Sequence, residues 1–210
     1  MAAGVNHSER RQLVVTRAMS LFARMGYAKV SFLDISEATG IARTALYRYF
    51  KTKREIFDAA IRDNTSEIKR DIDVICRRRL PVSRRMILTC NRVIDALYGK
   101  REFFSAIYEF VFSMVRAGED MTERIESFTI GFKLALRQMV AEGVENGELR
   151  KNIDPDDVAE TLFALMESVA FRLMLGVEKE TGRAKARFGA MIAALSSRVL
   201  RVDDSWGIVI

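Results

Sequence analysis

Between positions 43 and 53 the chain gathers side chains suited to a nucleic acid: Arg43, Thr44, Tyr47, Arg48, Tyr49 and Lys53. An arginine fork can bond guanine O6 and N7 together, and a threonine hydroxyl can bond a base edge or a phosphate. Tyrosine hydroxyls and a lysine ammonium suit backbone phosphate oxygens. Rival chemistries find little to work with. His7 is the single histidine and falls in an expected disordered tail, so no His-Cys metal cluster can form. Cys76 and Cys90 are not at CxxC spacing, and each reads as core or partly buried, with redox sensing as the alternative role. Neither a GxGxxG nor a Walker pattern occurs. The acid pairs Glu119-Asp120 and Asp156-Asp157 stand at helix starts, where capping accounts for them. No catalytic residue, metal or cofactor is expected, and the chain reads as a non-enzyme.

Elements able to position the basic segment precede it. Val14, Ala18, Leu21 and Met25 recur at helical spacing with Phe22 alongside, giving an apolar stripe of about four turns. Gly26 follows, where a left-handed residue ends a helix. Ser31 and Asp34 make a capping-box pattern that predicts a short helix at about 32–38. Gly40 breaks it, and a second short helix is predicted at about 42–48. Ile35, Ile41 and Leu46 would share a small core, and Ser36 is small where the two helices meet. This is a helix-turn-helix pattern, whose second helix enters the major groove. Its exposed residues would be Arg43, Thr44, Tyr47 and Arg48. Charge agrees: residues 1–55 hold ten basic against four acidic residues, which is the whole net +6 of the chain. A basic head on a neutral body suits a polyanion.

The stretch Phe22-Ala-Arg-Met-Gly-Tyr27, then Asp34-Ile35, then Gly40 through Phe50 and Lys53, resembles the DNA-binding domain of TetR-type transcriptional regulators, from about Val14 to Phe57. The resemblance implies a three-helix DNA-binding domain, an all-α body that dimerises and binds a ligand, and repression relieved by a small molecule. It also implies a phosphate-touching cap at Ser31, base-facing Arg43 and Thr44, backbone-bonding Tyr47 and Tyr49, and Lys53 opening helix 4 near a phosphate. The chain departs from that pattern at Leu33, Ala42, Ala45 and Arg48, which leaves fewer polar groups to read an operator.

The remaining composition bounds the body. The chain has 210 residues, 49% hydrophobic and 30% charged, with two prolines, and this favours an all-α protein with a real core. Its longest uncharged run, Phe188 to Ser197, is ten residues, short of a membrane span. No export signal is visible at the N-terminus, and a cytoplasmic protein is expected. Residues 1–55 read as the DNA-binding domain and 56–210 as an effector-binding and dimerisation domain. Body helices are predicted at about 54–76, 82–98, 101–117, 119–146, 155–176 and 183–202, which makes about nine in all. Asp154-Pro155 starts one of them as N-cap and N1. Stripes on the last two helices (Leu162, Leu165, Val169, Leu173 and Phe188, Ile192, Leu195, Val199) are expected to form a homodimer interface. A twofold reader would then meet a palindromic operator in double-stranded DNA. Phe103, Phe104, Tyr108, Phe112, Phe128, Phe132 and Met166 are candidates to line a pocket for an unknown small-molecule effector. The alternatives are a constitutive DNA-binding or architectural protein whose body only dimerises, and a protein-interaction module.

Overall fold

The computed structural model describes residues 2–196, 201–202 and 208–209, with side chains from His7 to Ser196. Nine helices run in order among the described residues: α1 (Ala2–Met25), α2 (Phe32–Thr39), α3 (Arg43–Leu46), α4 (Lys53–Cys76), α5 (Val82–Gly99), α6 (Arg101–Arg116), α7 (Thr122–Glu145), α8 (Pro155–Met174) and α9 (Gly182–Leu195). Two short strands, β1 (Arg201–Val202) and β2 (Ile208–Val209), pair antiparallel. The architecture is all-α with an N-terminal helix-turn-helix, as the composition and spacing imply.

Several boundaries differ from the sequence expectation, each for a local reason. α1 begins at Ala2, so His7 lies on a helix rather than in a tail. The second short helix, expected over 42–48, is a single α turn. Beyond it the chain tightens: the Arg48 N–H donates to the Ala45 carbonyl at 3.1 Å and the Tyr49 N–H to that of Leu46 at 2.9 Å. These three-residue closures are the 3₁₀ pattern at a helix end. α7 starts at Thr122 rather than 119, because the Asp120 carboxylate accepts the Thr122 N–H at 2.9 Å. α9 stops at Leu195 rather than near 202, where Ser196 turns extended and pairs with Leu149.

The chain forms two compact units: Met1–Ser66 with Glu102–Arg124, and Glu67–Arg101 with Ile125–Ile210. α4 starts in the first and ends in the second. α6, a body helix on linear reading, lies almost entirely in the first unit, beside the helix-turn-helix. In the second unit α5 packs on α8 and α9. The Glu148 carboxylate caps α5 by accepting the Val82 and Ser83 N–H groups at 2.7 and 2.8 Å. Asp154 caps α8 by accepting the N–H groups of Asp156 (2.7 Å) and Asp157 (3.3 Å), with Pro155 at N1 as its sequence predicts.

α8 buries one apolar face. Ala159, Leu162, Met166, Val169, Ala170 and Leu173 are buried, while Leu165 is half-buried. On α9, Phe188 and Ile192 are fully buried and Leu195 is half-buried. Leu162, Val169, Leu173, Phe188 and Ile192 are therefore covered by their own chain, and this corrects their assignment to a dimer interface. A side chain already sealed in its own core has no area left to bury on a partner. Val199 lies outside the described residues. The surface α8 leaves open carries Thr161, Ala164, Ser168, Phe171 and Leu175; α9 leaves open Ala190 and Ala194.

Candidate nucleic-acid interface

The turn between α2 and α3 is built from short polar residues. At the start of α2 the Ser31 N–H and hydroxyl both donate to the Asp34 carboxylate at 2.7 Å, and the Asp34 N–H returns to the Ser31 hydroxyl at 3.2 Å. The capping box predicted from Ser31 and Asp34 is complete. Those bonds from Ser31 hold the Asp34 carboxyl below the usual carboxylate range. They also commit the Ser31 hydroxyl proton to Asp34, so any phosphate approaching Ser31 meets a cap already in use.

Gly40 closes α2 at φ 67°, a left-handed conformation that costs a glycine nothing. The Ser36 hydroxyl then donates to the Ile41 carbonyl at 2.7 Å. Ser36 is thus a bonded strut across the turn as well as a small residue at a close approach. Ile35 and Leu46 are fully buried beneath, and Ile41 is half-buried.

Arg43, Thr44, Tyr47 and Arg48 are all exposed, and Tyr49 is half-buried. The Tyr47 ring stacks on Phe32 with centroids 4.8 Å apart and planes within 3°. Phe32 was not singled out by spacing; its role is visible only once α2 and α3 are placed together. A ring held by stacking loses less freedom when it meets a ligand.

Lys53 stands at the start of α4, where its motif places it, and two of its three ammonium N–H groups are used within the chain. It donates to the carbonyls of Tyr27 at 2.9 Å and Ala28 at 3.3 Å and lies 4.7 Å from the Tyr27 ring centroid. Burial pushes its ammonium below the ordinary lysine value, against the pull of Asp34 and Glu109. One ammonium N–H is left for an outside acceptor such as a phosphate. Lys53 staples α4 to the turn after α1 through those two carbonyls. Lys53→Ala is expected to cost about 1–3 kcal/mol of stability in urea titration and to flatten the salt dependence of DNA binding.

The same turn is held from α6. The Glu109 carboxylate accepts the Tyr27 N–H at 2.9 Å. Phe110 packs its ring 4.6 Å from Tyr27 and 4.3 Å from Phe57. Arg54 pairs with Glu119 at 3.0 Å, and Arg124 pairs with Asp58. Burial raises the Tyr27 hydroxyl above its ordinary value. Glu109 thus holds backbone.

The pocket candidates divide between the units. Phe103, Phe104, Tyr108 and Phe112 lie on α6 in the first; Phe128, Phe132 and Met166 lie on α7 and α8 in the second. Met166 is buried and Phe112 is 48% exposed. Cys90 is buried and Cys76 half-buried, and burial raises both thiols, which disfavours the reactive thiolate. Among the described residues no His/Cys/Asp/Glu group is arranged to hold a metal, and no helix is long and apolar enough to cross a membrane.

Two family models match the chain. Residues 14–60 match the bacterial regulatory proteins of the tetR family, and residues 113–188 match the tetracyclin repressor-like C-terminal domain. The chain is 23% identical over 181 residues to the HTH-type transcriptional regulator TtgR of Pseudomonas putida, covering 80% of this chain and 81% of that one. Its fold superposes on the fatty acid degradation regulator FadR of Bacillus halodurans with a TM-score of 0.74 at 16% identity, over 87% of this chain and 94% of that one. It also superposes on FadR of Bacillus subtilis, solved in complex with stearoyl-CoA, with a TM-score of 0.70 at 16% identity, over 89% and 97%. With a capped α2, a left-handed Gly40 turn, an exposed basic α3 and both halves matched, the chain belongs to the TetR family of DNA-binding transcriptional regulators.

Proposed function

We propose that the protein is a cytoplasmic homodimeric repressor that binds a palindromic operator through α3 and is released by a small apolar or amphipathic ligand. The observation that carries the DNA half is the sidedness of residues 35–48. Ile35 and Leu46 are sealed below, and Arg43, Thr44, Tyr47 and Arg48 are bare above. In this reading Arg43 and Thr44 meet base edges, and Tyr47, Arg48 and Tyr49 meet phosphates. Ser31 sits beside them as the helix cap. Arg43→Ala is expected to cost about 1–3 kcal/mol on the selected operator and far less on random duplex. Equal losses on both would remove its base-reading role.

For the second copy, the open faces of α8 and α9 replace the buried stripes. They carry Ala164, Ser168, Phe171 and Leu175 on one helix, and Ala190 and Ala194 on the other. A Cβ added at the neighbouring Gly189 would meet nothing of its own chain. Small residues on an open face let a partner helix approach closely.

For the effector, the aromatic run Phe103, Phe104, Tyr108 and Phe112 on α6 supplies apolar surface. The stearoyl-CoA complex of the Bacillus subtilis neighbour supports an amphipathic acyl ligand as the class to try first. The mechanism follows from α6. A ligand that shifts α6 pulls on Glu109 and Phe110, and through them on the turn that precedes α2. A differential affinity of about 1.4 kcal/mol between the two states is enough for a tenfold loss of operator binding.

Selection of bound sites from random duplex DNA tests the reading. Enrichment of an inverted repeat supports it, and a fatty acyl-CoA that lowers affinity for that repeat supports the effector class. A protein that enriches no site, with and without acyl-CoA, sinks it.

A further inference from the structure

Two residues one turn apart on α1 grip the segment that follows α3. The His7 ring lies 4.8 Å from the Tyr49 ring at a tilt of 43°. The Arg11 guanidinium sits 4.9 Å from the centroid of the Phe50 ring. Phe50 is buried, so Arg11 anchors α1 to the core of the head, while His7 is exposed at the rim beside Tyr49. The imidazole thus stands next to the last side chain of the basic surface, on a helix fixed there by its neighbour.

Charged residues lie close in sequence to both rings. On α1 the nearby charged residues are Glu9, Arg10 and Arg11; on the other segment Arg48 and Lys51 flank Tyr49, and Glu55 follows on α4. Residues 1–6 carry no ionisable side chain. Tyr49 is the ring that faces His7 directly. A phosphate laid along Tyr49 brings negative charge to the imidazole and favours its protonated form. The imidazolium then adds one more cation to the backbone contacts.

We propose that His7 is a DNA-backbone contact that takes up a proton on binding, so that DNA affinity rises with acidity. This rests on the reading of the Tyr49 surface as DNA-facing. A backbone contact is indifferent to sequence, so the test needs no operator. Full-length protein is titrated into a labelled mixed-sequence duplex at fixed low salt, by fluorescence anisotropy, at about pH 8 and about pH 6, the span in which an imidazole changes charge. One linked proton limits the gain to about tenfold per pH unit.

Wild-type affinity is expected to rise several-fold on acidification. His7→Gln is expected to lose most of that rise while keeping the wild-type melting temperature, since His7 is exposed. His7→Lys, with a permanent charge, is expected to bind tightly at both pH values. A wild-type protein that binds DNA equally at both pH values, or a His7→Gln variant with the full wild-type response, overturns the inference and leaves the repressor reading standing. A wild-type protein that binds no duplex at either pH overturns the DNA-facing reading of Tyr49 and this inference with it.

Discussion

Phe110→Ala is expected to destabilise the DNA-binding unit by about 3–5 kcal/mol, the range for emptying a large buried aromatic site. Phe110 belongs to α6, far along the chain from the helix-turn-helix, yet it is fully buried. Its ring meets Phe57 at 4.3 Å and Tyr27 at 4.6 Å, and both of those also touch Phe22. The cluster joins α1, the turn after it, α4 and α6 in one aromatic box, and edge-to-face pairs such as Tyr27 with Phe110 add to simple burial. Urea unfolding followed by circular dichroism reads the loss, and DNA affinity should fall with it. Phe112→Ala, two residues on and 48% exposed, is the control and should stay within about 0.5 kcal/mol of wild type. Equal behaviour of the two variants would mean that α6 is no part of the head's core.

The second large effect is on assembly. Ala190→Arg is expected to convert a dimer into a folded monomer of 23.9 kDa in light scattering. It should also lower affinity for an inverted repeat by about 10²–10⁴-fold, the gain that linking two half-site readers provides. Ala190 is exposed on its own chain, so an arginine there disturbs no internal packing. A charge forced into a partner helix at close approach has no such freedom, and burying it unpaired is costly. Ile192 gives the contrast: it is fully buried, so Ile192→Arg is expected to unfold the second unit rather than leave a monomer. A variant at position 190 that remains dimeric would move the interface elsewhere.

Local signals in the chain were sufficient for the helix-turn-helix. Ser31 and Asp34 lie three residues apart, so the capping box closes whatever surrounds it. Gly40 is left-handed because the turn needs φ 67° there, and Asp154-Pro155 starts a helix for equally local reasons. Such features depend on neighbours in sequence, and composition and spacing carry them. The exposed basic set of α3 was legible for the same reason, since a four-residue turn leaves little choice of which side is buried.

What spacing could not supply is which of several apolar faces turns inward and which distant group occupies a given donor. The stripe of Leu162, Leu165, Val169 and Leu173 on α8 was expected to meet a partner; only the packing of α5 on α8 decided that Leu162, Val169 and Leu173 are spent on the chain's own core. Lys53 has the chemistry of a phosphate ligand, and nothing in its own segment says that the carbonyls of Tyr27 and Ala28, 26 and 25 residues away, take two of its N–H groups. His7 looked like tail until α1 extended to carry it against Tyr49. α6 looked like body until Glu109 and Phe110 met the turn at Tyr27. Secondary structure and charge placement were decided by the sequence, because both are short-range. The choice of inward face and of partner for each polar group was decided by the tertiary structure, because those are settled by contacts between residues far apart in the chain.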